Sequence, residues 1–230
     1  MGPLRAAETR KGAHVSIGAG VPGSMAGRAY ALLRDRLIML EIAPGEPINE
    51  GLIAEELGFG RTPIREALKR LETDHLVVSF ARRGTFATMV DIADLTEISE
   101  LRRQLEPFAA RKAAENHRDL HREAFEHLAS TISSINPGDD LDQLLAYDLR
   151  VHRLIYAAAG NPHLEETLVR LDNLSTRIWR LVLGRRSEIA EHIQEHVALL
   201  EAILEGRPDD AAAITSEHMK HFEATIRAAL

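Results

Sequence analysis

Two sets of side chains in this sequence carry usable chemistry. The first is cationic: Arg61, Thr62 and Arg65 flank Pro63, and Arg82-Arg83-Gly84 follows further along the chain. An arginine fork binds guanine O6/N7 or a phosphate bidentately, and a threonine at a helix start bonds a phosphate beside the helix's free N–H groups. The second set is metal-ligating. Asp148 and His152 stand four apart, so on one helix they share a face and can grip one ion. His196 and His218 come from the last two helical segments. One carboxylate and three imidazoles suit Zn, Ni, Mn or Fe and leave coordination positions for water or a carboxylate ligand. His192 and His221 stand close to His196 and His218 at helical spacing, so periodicity alone supports no more than a possible metal site. By itself an R-x-x-x-R spacing is usually a solvated helix face, and a D-x-x-x-H pair is usually ordinary polarity. The surrounding elements decide.

Around the arginines the local signals fall in a definite order. Ser24 caps a first helix with Tyr30, Leu33, Leu37 and Leu40 at helical spacing, ending before Ala43-Pro44-Gly45. Asn49 caps a second, short helix with Leu52, Ile53 and Leu57 facing inward and Gly58 as its stop. Thr62-Pro63 reads as the cap and first residue of a third helix, reaching about Thr73, with Ile64, Leu68 and Leu71 on one stripe and Arg65 and Lys69 on another. The β-prone runs 76–80 and 85–89 are joined by Ala81-Arg82-Arg83-Gly84, a hairpin with a basic tip. Three helices followed by a hairpin make a winged helix-turn-helix, whose third helix enters a major groove. Beyond Asp91 the strand signal ends. The pattern predicts helices over 92–116, 119–135, 139–158, 162–184, 187–205 and 208–228. The fold class is therefore mainly α: a winged helix-turn-helix over 24–90, then an all-α bundle of about six helices over 91–230. Residues 1–23, with five of the 15 glycines, read as a flexible tail.

Composition narrows the classes of function. Cysteine is absent, which removes disulfides, thiolate zinc sites and cysteine nucleophiles. No apolar run reaches the length of a membrane helix and no secretory signal is present, so a soluble, cytoplasmic protein with no membrane partner is expected. The net charge of -7 hides an asymmetry: residues 1–90 hold 12 Lys+Arg against 10 Asp+Glu, and 91–230 hold 16 against 25. Nine of the 11 histidines lie in the second part. Two bodies with different partners are implied.

The run Gly58-Phe59-Gly60-Arg61-Thr62-Pro63-Ile64-Arg65-Glu66-Ala67-Leu68 resembles the recognition motif of the GntR family of bacterial transcriptional regulators, and Arg83-Gly84-Thr85-Phe86 resembles its wing. The resemblance implies that Arg61, Thr62, Arg65 and Gly84 contact the operator, with Arg61 and Arg65 as base readers; Arg83 joins them from the basic tip. Gly60 stands where the family usually has a hydroxyl residue, and Gly51 where some members have a DNA-contacting arginine. Residues 91–230 resemble the FCD domain of the FadR-like branch through Leu101-Arg102-Arg103-Gln104-Leu105-Glu106, Asp148-Leu149-Arg150-Val151-His152 with Gly160-Asn161-Pro162, and Glu195-His196 through Ala211 to His218. That resemblance implies metal ligands Asp148, His152, His196 and His218, with His192 and His221 outside the ligand set. Arg102 then aligns with an arginine that can clamp an effector carboxylate, its bland alternative being an i,i+4 partner of Glu106 on a solvated face.

The implied function is a DNA-binding transcriptional regulator, a repressor in the first instance, controlled by a small carboxylate effector bound at the metal. One short helix reads too few base pairs for genomic specificity, so a homodimer on a palindromic, double-stranded operator is expected. The rivals are a metal-dependent enzyme with Glu195 as base, a direct metal sensor, and a structural dimer with inert histidines. Trp179 reads as packing, and Leu95, Ile98, Leu101 and Leu105 as core or dimer contacts.

Overall fold

A computed structural model describes residues 23–116, 121–136, 138–182 and 186–229. The tail assigned to 1–23 falls almost wholly outside them. Helix α1 (Met25–Ile38) is capped by the Ser24 hydroxyl, which accepts from the Gly27 N–H at 3.1 Å. Helix α2 (Glu50–Leu57) is capped by Asn49 and stopped by Gly58 at φ 68°, the left-handed conformation that favours glycine. Helix α3 spans Arg61–Thr73. Leu33, Leu37, Ile38, Ile64 and Leu71 pack completely out of solvent between these helices.

Three expectations need correction here. Helix α3 begins two residues before Pro63, with Gly60 and not Thr62 as its N-cap and no side-chain cap bond. Buried Phe59 fixes that entry, its N–H bonding back to the Ala54 carbonyl at 2.9 Å. Pro63 falls on the third helical residue, where an N–H would also lack an intrahelical partner. Leu52 points outward at 64% exposure, leaving Ile53 and Ala54 as the buried side of α2. Leu40 lies beyond the end of α1 at φ 56°.

The wing consists of β2 (Val77–Phe80) and β3 (Gly84–Ala87), paired antiparallel with Val77 opposite Ala87 and Phe80 opposite Gly84. A third strand, β1 (Pro47–Ile48), pairs with the other edge of β3 and makes the order β1-β3-β2. Two residues are too short to show the alternation by which a strand is recognised. The turn at the tip passes through Arg82 at φ 63° and Gly84 at φ 96°.

Among the described residues seven helices follow: α4 (Asp94–Glu115), α5 (Arg122–Ser133), α6 (Leu141–Ala158), α7 (Pro162–Val182), α8 (Arg186–Gln194), α9 (His196–Leu204) and α10 (Pro208–Ala229). Asp140 caps α6 and Asn161 caps α7, each side chain accepting two backbone N–H bonds. The bundle matches the expected six segments except that 187–205 is two helices, interrupted at Glu195 alone. The expected start of α5 at 119 and the break at Gly184 lie outside the described residues. The two parts are joined through α7: Arg177 donates to the Thr88 hydroxyl at 2.6 Å and to its carbonyl at 2.7 Å, and Arg180 donates to the Met39 carbonyl at 3.4 Å. Among the described residues no helix is long and apolar enough to cross a membrane.

Burial separates two leucines that the sequence treats alike. Leu71→Ala should lower unfolding free energy by about 2–5 kcal/mol, and Leu52→Ala by less than about 0.5 kcal/mol, measured by urea denaturation.

Candidate functional site

Helices α6, α9 and α10 bring Asp148, His152, His196 and His218 together in the bundle interior, one ligand atom of each lying within 4.8 Å of the others. All four are buried. Asp148 Oδ1 stands 3.8 Å from His152 Nε2 and 3.8 Å from His196 Nε2. Asp148 Oδ1, His196 Nε2 and His218 Nε2 are buried atoms with no hydrogen-bond partner. Their opposite sides are occupied. His152 Nδ1 lies 3.3 Å from Glu106, His196 Nδ1 3.1 Å from the Ile193 carbonyl, and His218 Nδ1 2.9 Å from Glu195. Partners on Nδ1 fix each ring and leave the Nε2 lone pairs converging, the arrangement metal-ligating histidines use. The donor set therefore fits a divalent transition metal, which would supply Lewis acidity and an anchor for a carboxylate.

Electrostatics divides the four residues. Burial holds the His196 imidazole well below its ordinary range, and neighbouring His218 and His152 add to the effect, so His196 stays neutral as a ligand must. Burial raises Asp148 to about 7 against the pull of His152. His152 is opposite in sign: burial disfavours its cation, but Glu106 and Asp148 outweigh it and lift the group to about 9. His192 is buried and stacks on His218 with ring centroids 4.1 Å apart, its Nε2 3.9 Å from Asp148. His221 is exposed and bonds Glu195. His192, Glu195 and His218 form a second group of ligand atoms within 4.8 Å of one another, beside the four.

Behind His152 lies a buried polar chain. Arg102 donates to Glu106 at 2.5 Å, to the Ser175 hydroxyl at 2.6 Å and to Asp172 at 3.3 Å, while the Tyr156 hydroxyl donates to Glu106 at 2.9 Å. Arg102 is thus the i,i+4 partner of Glu106, but inside the bundle and not on a solvated face. Burial opposes ionisation of Glu106, yet Arg102 and His152 hold it well below the usual carboxylate range. Sequence reasoning passed over Asp172, Asn173, Ser175, Thr176 and Arg177. Their signal was a polar run between Leu171 and Ile178 on an otherwise amphipathic helix. Glu195, considered as a base, is instead held by His218 and His221, which keep it low against the effect of burial. Trp179 is buried against His192 and Phe222, as packing.

The cationic set lies on the winged part. Arg61, Thr62 and Arg65 are exposed on the first turns of α3, and Arg82, Arg83 and Gly84 are exposed at the wing tip. Glu50 of α2 holds Arg65 through its Nε at 2.7 Å, leaving the outer edge of the fork open. Because Gly60 supplies no side-chain cap, the N–H groups of Arg61 and Thr62 stay available at the positive end of the helix.

Residues 25–87 match the family described as bacterial regulatory proteins, gntR family, and residues 97–221 match the FCD domain. The chain belongs to the GntR family. It is a transcriptional regulator of the FCD-bearing, FadR-like kind. Among its relatives, the Nta operon transcriptional regulator of Aminobacter aminovorans is 29% identical over 80% of this chain and 86% of that one. A protein of Paenarthrobacter nicotinovorans, described as a probable D-xylose utilization operon transcriptional repressor, is 28% identical over 83% and 85%. The solved structure of E. coli McbR/YncC superposes with a TM-score of 0.78 at 24% identity, covering 90% of this chain and 98% of that one, which shows the shared fold.

In this GntR-family chain a bound metal would compete with protons for the same lone pairs. With Asp148 near 7 and His152 near 9, each must lose its proton before ligating, so affinity for Ni²⁺ or Zn²⁺ should rise with pH and level off above about 9. Calorimetric titration at pH 6.5 in two buffers of different ionisation enthalpy should show unequal apparent heats from released protons. Equal heats would count against ligation by these two groups.

Proposed function

We propose that the protein is a homodimeric repressor that binds a palindromic operator through Arg61, Thr62, Arg65, Arg83 and Gly84 and releases it when a small carboxylate effector binds at a divalent metal. The observation that carries this reading is the union, in one chain, of an exposed arginine-bearing helix start and a buried cluster in which Asp148 Oδ1, His196 Nε2 and His218 Nε2 have no hydrogen-bond partner. Asp148, His152, His196 and His218 would hold the metal, which would supply a Lewis-acidic anchor for the effector carboxylate. Arg102 meets the same effector with the edge now bonded to the Ser175 hydroxyl, the uncharged one of its three partners. Such a regulator works beside the chromosome, in the cytoplasm.

Homodimer formation is supported by an apolar stripe on α4, where Leu101 and Phe108 are exposed at 52% and 45% with Leu105 half-buried between them. Packed layers connect the effector to the wing. His152 touches Glu106, Glu106 holds Arg102, Arg102 holds Asp172 and Ser175 of α7, and Arg177 of the same helix holds Thr88 at the exit of the wing. An effector that binds more tightly to one arrangement of α7 shifts the population of operator-competent dimers; equal affinity would shift nothing.

Arg65→Ala should cost about 1–3 kcal/mol on the preferred operator and relax base preference, whereas Arg83→Ala should weaken all duplexes evenly and reduce the salt slope by about 1. Fluorescence anisotropy on fragments of the source genome measures both, and unchanged operator affinity in Arg65→Ala would remove that residue from the interface. His218→Ala should lose bound metal by elemental analysis, and lose release by carboxylates, while retaining operator affinity. A variant that keeps its carboxylate response would overturn the effector site.

A further inference from the structure

A cavity of about 860 Å³ lies between the winged part and the bundle, walled by α1 and α3 on one side and α5, α6 and α7 on the other. None of the four histidine-cluster residues lines it, and neither does Arg102. Five arginines do: Arg34, Arg70, Arg150, Arg153 and Arg170, against Asp74, Glu165 and Glu166. Asp74 is already bonded by the Tyr30 hydroxyl at 2.6 Å, and Arg70 lies over the Tyr30 ring at 4.0 Å.

The two innermost arginines set the chemistry. Arg34 of α1 is buried and paired with Asp35 at 2.7 Å; Arg153 of α6 approaches the same carboxylate only to 3.9 Å and gives one N–H to Asn173 at 2.8 Å. Its Nε and Nη1 are buried and reach no hydrogen-bond acceptor. Two guanidinium groups thus meet around one carboxylate at the joint between the two parts. Leu128, Leu154, Ala157 and Val169 add an apolar floor. The volume is that of ordinary small-molecule sites.

We propose that this cleft is a second ligand site, which takes a small organic polyanion with two or more phosphate or carboxylate groups on an apolar body. The anionic oxygens meet Arg153, Arg150 and Arg34, and the body lies on the leucine and valine side. Because α1 and α3 carry one wall and α6 and α7 the other, a bound polyanion ties the winged part to the bundle. This site is independent of the effector reading above.

Isothermal calorimetry on the full-length protein with pyrophosphate, citrate and adenosine 5′-diphosphate tests it. At least one probe should bind saturably, phosphate probes over citrate marking an organic phosphate and the reverse a polycarboxylate. Arg150→Glu, at an exposed position, and Arg153→Gln should each weaken that probe at least about tenfold, the loss expected for a charge-assisted hydrogen bond. His196→Ala should bind it like the parent. Should Arg153→Gln fail to fold, Arg150→Glu carries the test. No saturable binding by any probe, binding that Arg150→Glu leaves unchanged, or binding lost in His196→Ala would overturn the proposal. Operator affinity is measured separately and does not enter this result.

Discussion

Three imidazole nitrogens and a carboxylate oxygen aimed at one buried point repel one another unless positive charge lies between them. In water the cost would be small. In the bundle interior, where Asp148 Oδ1, His196 Nε2 and His218 Nε2 have no bonding partner, it is severe. The elevated Asp148 and His152 are that demand met with protons. A divalent cation meets it with two charges at once. The second ring of contacts follows from the same constraint. Glu106, Glu195 and the Ile193 carbonyl hold the Nδ1 sides so that the rings cannot turn away, and Arg102 balances Glu106. The interruption of the helix at Glu195 belongs here too, since that residue stands at the end of α8 and bonds both His218 and His221 of α10.

What could be read from the sequence was whatever depends on neighbours within a few residues. Ser24 and Asn49 cap where their side chains can reach N–H groups two or three residues on, and Gly58 stops α2 where a left-handed residue is required. Helical spacing placed Asp148 and His152 on one face, but only the family resemblance chose His196 over His192 and His218 over His221. The structure shows why periodicity was indifferent: His192 is itself buried, 3.9 Å from Asp148. Features built from distant residues left no local trace. Strand β1 exists because Pro47–Ile48 finds β3 nearly forty positions later, and Arg102 finds Ser175 at a separation of 73. The burial of Arg102 follows from that second partner, which no window on the sequence contains.

Helix α7 links the chemistry to the architecture. One side carries Leu164, Leu168, Leu171 and Ile178 into the core; another carries Asp172, Asn173, Ser175 and Arg177, all buried, with Asp172 and Ser175 bonded to Arg102 of α4, Asn173 to Arg153 of α6 and Arg177 to Thr88. Buried polar groups are tolerated when they are bonded, and bonded groups fix the register of a helix more narrowly than interchangeable aliphatic contacts do. A rigid, uniquely seated strut is what a regulator with two separate bodies requires.

The bond between Arg177 and Thr88 differs from most arginine contacts in this molecule because its acceptors, a hydroxyl and a carbonyl, carry no formal charge. Counterions screen ion pairs but have little purchase on a buried guanidinium seated on neutral oxygens. The articulation between wing and bundle therefore keeps its seating at ionic strengths that strip phosphate contacts away.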